Sequence, residues 1–94
     1  MYNLHMFYTY IIKSTISGRF YIGSTSNLKN RIDRHTANRE RATKNRGPWV
    51  LIHFEEYLTR SEAIRREYYL KSIKNKKALL KIITSTWRSG SSTG

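Results

Sequence analysis

Two short runs rich in aromatic and β-branched residues, Phe7-Tyr8-Thr9-Tyr10-Ile11-Ile12 and Arg19-Phe20-Tyr21-Ile22-Gly23, flank a turn-rich stretch from Ser14 to Gly18. Such residues suit a pleated, half-buried surface, and so short a connection permits only an antiparallel return. The chain therefore has to begin its fold with a β-hairpin. Gly23 closes the second strand, and Ser24, Thr25 and Ser26 offer N-cap oxygens to a helix running to about Asn38, with Leu28 and Ile32 as its narrow apolar stripe. Arg39 to Pro48 is basic and aperiodic and reads as a surface loop, and Trp49 to Glu55 reads as a third strand. Thr59-Arg60-Ser61-Glu62 is a capping box that opens a second long helix. After a break near Asn75, Ala78 to Ile83 reads as a short third helix. This order predicts an α+β fold, a small three-stranded antiparallel sheet flanked by about three helices, over residues 1–84. Residues 85–94 read as a flexible Ser/Thr/Gly tail, with Trp87 as a candidate anchor.

Charge narrows the partners. Eighteen bases against six acids leave +12 at neutral pH, which attracts polyanions. Nucleic acid is the leading partner. An anionic membrane surface is the lesser alternative, because the bases are spread along the chain rather than gathered on one amphipathic helix. No apolar run approaches the roughly 20 residues that span a bilayer. Lys13 and Arg19 also interrupt any signal-like segment, so the expected compartment is the cytoplasm. The absence of cysteine excludes disulfides and thiolate metal sites.

Against that balance Glu67 stands out. In a helix over 59–73 its neighbours three and four positions away are Ala63, Ile64, Leu70 and Lys71, mostly apolar, which puts the carboxylate on or beside the core-facing stripe. A carboxylate there needs a partner, an arginine or a metal ion. Arg31 and His35, four apart, share one face of the first helix.

Tyr8-Thr9-Tyr10, the literal Tyr21-Ile22-Gly23, Arg31-Ile32-Asp33-Arg34-His35 and Arg66-Glu67-Tyr68 follow one another in order on the expected elements. In this the chain resembles the GIY-YIG nuclease superfamily, in particular its small stand-alone bacterial members related to the N-terminal nuclease domain of the repair excinuclease. The resemblance covers about residues 6–83. It implies a metal-dependent endonuclease acting on DNA, with a place in repair or recombination. By that resemblance Tyr10 accepts a proton from the attacking water, Tyr21 positions water or phosphate, and Arg31 steadies the pentacovalent phosphate. His35 falls at a position held by His or Tyr, Glu67 binds Mg²⁺ or Mn²⁺, and Arg19 stands where some members carry a lysine that helps the tyrosine deprotonate.

The chemistry is coherent with those roles. Hydrolysis of a phosphodiester needs an activated water, stabilisation of growing charge and relief for the leaving alkoxide. A planar guanidinium suits phosphate oxygens, and a single carboxylate suits a hard cation that keeps most of its waters. A free tyrosine titrates near pH ~10, so the base role requires cationic neighbours such as Arg19, Arg31 and the metal to lower it.

Two departures from the family pattern stand in the chain. Gly-Ile-Tyr is replaced by Tyr8-Thr9-Tyr10, and the asparagine motif of some homing nucleases has only Asn75 as a weak match. Simpler readings compete: the two tyrosines as packed hairpin aromatics, Glu67 in a structural ion pair with Arg31, Arg65 or Arg66, and His5 and His53 as non-functional. Lys29, Arg34, Arg39, Arg41, Lys44 and Arg46 are the candidate phosphate contacts, and the loop from Arg39 to Pro48 is the candidate for substrate discrimination. With no recognisable DNA-reading domain, specificity is expected from shape, backbone charge or a protein partner. A non-catalytic nucleic-acid-binding module, for DNA or structured RNA, is the alternative function.

Overall fold

In the computed structural model, which describes residues 5–93 and side chains through residue 85, six elements follow the expected order. They are β1 (Phe7–Ser14), β2 (Phe20–Thr25), α1 (Leu28–Thr36), β3 (Trp49–Tyr57), α2 (Arg60–Ser72) and α3 (Lys76–Thr93). The strands form one antiparallel sheet in the order β2-β1-β3, so β1 is central and β2 is an edge. Helical backbone continues to Thr93 across the segment read as a flexible tail, and the side chains of residues 86–94, Trp87 among them, lie outside the described residues. Among the described residues no helix is long and apolar enough to cross a membrane.

Strand alternation divides the core in two. Ile11 and Ile22 face one side, where α2 and α3 contribute Leu70 and Leu79 and bring Ile73, Ile82 and Ile83 against them. Tyr10 and Ile12 face the other, packed with Trp49, Tyr21, Leu28 and Ile32 beneath α1. Full burial of each such aliphatic side chain stabilises the fold by about 1.5–3 kcal/mol. Thr9, on the α2 side, donates from Oγ1 to the Ala63 carbonyl at 2.7 Å, which ties the centre of the sheet to the helix that carries Glu67. α3 is pinned to the hairpin tip by Lys76, whose Nζ donates to the Gly18 carbonyl at 2.7 Å and lies 4.8 Å from the Phe20 ring centroid.

The capping box of α2 is present as expected, with Thr59 and Glu62 exchanging hydrogen bonds. α1 starts later than expected. Its N-cap is Asn27, whose side chain accepts from the Asn30 amide, not Ser24, Thr25 or Ser26. Ser24 and Thr25 are held in β2 by pairing with Thr9 and Tyr8, so the chain cannot turn into a helix until the ladder ends. The helix stops at Thr36 because Asn38 takes a left-handed φ of 59°, a conformation asparagine tolerates. The segment 39–48 is more than surface. Thr43 is buried, and Trp49 Nε1 donates to its carbonyl at 3.1 Å. The Ser14 hydroxyl donates to the Arg46 carbonyl at 2.8 Å, so the loop docks on the hairpin.

Candidate active site

The antiparallel register sets Tyr10 opposite Gly23. The phenol lies across that position so closely that a Cβ on Gly23 would meet Tyr10 Oη at 2.5 Å. The glycine of the Tyr21-Ile22-Gly23 motif is therefore there for space: it lets the tyrosine of the neighbouring strand lie flat against β2. Period-two alternation brings Tyr21 to the same face, and α1 lowers His35 onto both rings, at centroid distances of 5.7 Å from Tyr10 and 5.3 Å from Tyr21.

His35 is 1% exposed and fully bonded: Nε2 is 2.9 Å from Tyr10 Oη, and Nδ1 is 2.7 Å from Thr43 Oγ1. Both neutral tautomers satisfy these contacts, because the Thr43 hydroxyl can accept from or donate to Nδ1. In the tautomer whose Nδ1–H donates to Thr43, Nε2 accepts the phenol proton of Tyr10. Burial, aided by Arg31 and Arg34, lowers the titration of His35 below its usual 6.5 against the opposing pull of Glu40, so the imidazole is neutral at pH 7. Thr43 thus orients the ring as a carboxylate or carbonyl would elsewhere. No sequence signal marks it, because it sits in an aperiodic segment far from the motifs.

Tyr10 does not behave as the expected low-pKa base. Burial raises its pKa well above the ordinary 10.0, and Arg31, the cation beside it, offsets only part of that rise. The charges acting on the phenol are those of Arg31, Tyr21 and Glu40. Arg19 stands apart from them, exposed at the hairpin tip, where it lines a hollow with Arg46. The helper position implied by the resemblance is therefore not assembled with Tyr10; Arg19 belongs to the charged surface. Arg31 is half-exposed, with Nε 3.4 Å from Glu40 Oε2, while Arg34 Nε approaches the same oxygen at 2.6 Å. The Arg34 hydrogen bond, with Arg31 behind it, holds the Glu40 carboxyl below its ordinary range. Glu40 is thus an acid of the site that no sequence motif singles out.

Glu67 lies on the opposite side of the sheet from this cluster, since its partner Ser24 alternates with Gly23 along β2. The Ser24 hydroxyl donates to Oε1 at 2.6 Å, and Lys71 Nζ lies 2.6 Å from Oε2. The partner of Glu67 is thus Lys71, not Arg31, Arg65 or Arg66. An acid one helical turn before a lysine is the signal that points to it. The pKa of Lys71 is raised chiefly by its hydrogen bond to Glu67. Glu67 is 15% exposed at its side chain. Its donor set, a carboxylate with a serine hydroxyl beside it, is hard oxygen and fits Mg²⁺ or Mn²⁺. Among the described residues no cluster of three His, Cys, Asp or Glu could hold a metal, so an ion here would keep most of its waters.

Of the candidate phosphate contacts, Arg34, Arg39, Arg41 and Lys44 surround a basic hollow of about 520 Å³ with Asn38, on the outer side of the loop that carries Thr43. Lys29 is paired with Asp33 at 3.2 Å on the exposed flank of α1. The remaining polar cluster is structural. Glu55 receives Arg66 Nε at 2.8 Å, His53 at 2.8 Å and the Tyr57 hydroxyl, tying α2 to β3. Burial pushes the Glu55 pKa up, but those three hydrogen bonds prevail and hold it at about 2.

The family model of the GIY-YIG catalytic domain matches residues 6–80. The UPF0213 protein of Staphylococcus haemolyticus is 38% identical over 73 residues, 77% of this chain and 88% of that protein. That of Clostridium perfringens is 39% identical over 82 residues, 85% of each. The solution structure of the UPF0213 protein of Bacillus halodurans superposes with a TM-score of 0.52 at 28% identity, covering 82% of both chains.

Proposed function

The chain belongs to the GIY-YIG family, whose fold is generally that of a nuclease, and on that premise we propose that it is a metal-dependent endonuclease hydrolysing DNA phosphodiester bonds. The observation that carries the reading is the Tyr10–His35–Thr43 chain. A phenol whose pKa is raised is a poor free base, but it can pass a proton along. As the attacking water gives a proton to Tyr10 Oη, the phenol's own proton moves to the neutral His35 Nε2. Arg31 stands beside the phenol, where its guanidinium meets the phosphoryl oxygens, and Tyr21 completes the wall on which the phosphate rests. Glu67, with Ser24, would hold Mg²⁺ or Mn²⁺, which when bound supplies positive charge for the leaving alkoxide. Lys71, which now neutralises Glu67, would have to yield Oε2 to the ion.

One set of observations favours a second reading, a nucleic-acid-binding module without catalysis: Tyr10 is 0% exposed, and both Glu67 oxygens are engaged within the chain. Incubation of the protein with labelled duplex, single-stranded and branched DNA, in Mg²⁺ or Mn²⁺ and in EDTA, separates the two. The nuclease reading requires metal-dependent products that vanish for Tyr10→Phe and for Glu67→Ala. Salt-sensitive binding with no products on any substrate would leave the binding module.

A further inference from the structure

The outer face of α2 is not what a solvated helix requires. Arg60, Ser61, Ile64, Arg65 and Tyr68 line a hollow of about 480 Å³, and Tyr68 is 66% exposed at its end. Ser61, Ile64, Arg65 and Tyr68 fall at helical spacing and make one continuous stripe, with an aliphatic floor at Ile64, an aromatic wall at Tyr68 and a guanidinium on each side. Arg65 Nη2 lies 3.3 Å from Ser61 Oγ, and the Arg60 guanidinium sits 5.1 Å from the Phe7 ring centroid, so both cations are held beside the hollow. A flat apolar slot bounded by cations matches the two parts of a nucleotide, a π-face and a phosphate. Tyr68 adjoins Glu67 in the chain but stands on the outer side of α2, whereas Glu67 meets Ser24 on the side facing the sheet.

We propose that this face of α2 is a stacking platform for an unpaired nucleobase of the bound strand, with Tyr68 as the stacking ring and Arg60 and Arg65 on the flanking phosphates. The inference rests on the nucleic-acid substrate of the proposed function and sharpens it: the strand bound is DNA with single-stranded or unpaired bases, not continuous duplex. A base within a duplex is already stacked on both sides and cannot present a face to Tyr68. The platform is separate from the basic hollow at the 39–48 loop.

The test is binding in EDTA, where no cleavage occurs, so its outcome is independent of whether the protein is a nuclease. Oligonucleotides carry the fluorescent base 2-aminopurine, either unpaired in a single strand or paired within a duplex. Stacking on Tyr68 is expected to quench the unpaired base. Tyr68→Ala is expected to lose that quenching and about tenfold in single-strand affinity while leaving duplex affinity unchanged. Tyr68→Trp is expected to keep both, since a larger ring stacks as well. The proposal is overturned if Tyr68→Ala quenches and binds like the unmodified protein, or if it loses single-strand and duplex affinity equally. A Tyr68→Ala change in sedimentation behaviour with unaltered quenching would also overturn it, and would assign the face to a second copy of the chain.

Discussion

The smallest residue in the site constrains the largest one. Gly23 leaves the volume into which the Tyr10 phenol fits, and Gly23→Ala would put a Cβ 2.5 Å from Oη. The ring has no room to retreat, because His35 closes its other side at 2.9 Å. Gly23→Ala is therefore expected to cost about 1–3 kcal/mol of stability by overpacking and to abolish cleavage, as read by urea denaturation and by product formation. His35 gives a prediction with a pH sign. Its folded pKa lies below the usual 6.5, so the unfolded chain binds the proton first on acidification. Stability is thus complete above 6.5 and declines as pH falls from there toward the lowered folded value. A melting-temperature series is expected to show that decline, and His35→Gln to remove it. These residues are legible in the sequence to different degrees. Tyr10, Tyr21, Arg31 and His35 stand out because motif and helical spacing point to one face. Thr43 does not, since nothing local marks a buried threonine inside a basic loop. Lys71 is legible from its place four residues after Glu67.

Among the elements, α2 carries the candidate metal ligand on one face and a structural ion pair on another. Its Glu67–Lys71 pair is a competitor for any cation at that carboxylate, because the ammonium holds Oε2 at 2.6 Å. Lys71→Met is expected to lower the Mn²⁺ concentration that half-saturates the protein, measured by the paramagnetic signal of free Mn²⁺ without reference to activity. An unchanged affinity would mean that Lys71 does not compete with the ion, and a weaker one that it helps to hold it. On the other side, Arg66 ties α2 to β3 through Glu55. Glu55→Ala strands Arg66 and Tyr57 and is expected to cost about 1.5–3 kcal/mol, checked by denaturant titration. The elements themselves are legible because capping, alternation and apolar stripes are local signals. The start of α1 is not, since the decision between strand and helix at Ser24 and Thr25 is made by pairing with β1, which is a long-range contact. The Glu55 network is invisible for the same reason: its members come from two elements brought together only by the fold.

For the molecule as a whole, the sheet carries half of the candidate site on each face, Tyr10, Tyr21 and His35 on one and Glu67 on the other. Acid should dismantle this assembly in two stages. After the His35 step, Glu55 contributes a second: its folded pKa of about 2 lies below the ordinary 4.5, so its stabilisation is present above 4.5 and lost as pH falls from there toward 2. Glu55→Gln is expected to reduce the lower step, leaving the smaller part that Glu40 contributes, and to leave the His35 step in place. Net charge of +12 sets the range of binding to nucleic acid, and Arg39, Arg41 and Lys44 gather part of it in one hollow. Reversing those three is expected to weaken binding at low salt and flatten its dependence on salt concentration by roughly 0.9 for each phosphate no longer neutralised. The central claim, however, is that the Tyr10 cluster and Glu67 form one catalytic unit despite lying on opposite faces. Single-turnover cleavage by Tyr10→Phe, Glu67→Gln and the double variant tests it most directly. A single unit gives a double variant no slower than the worse of the two single variants, because residues acting together are strongly non-additive. Losses that multiply, or a rate that either substitution leaves intact, would contradict it.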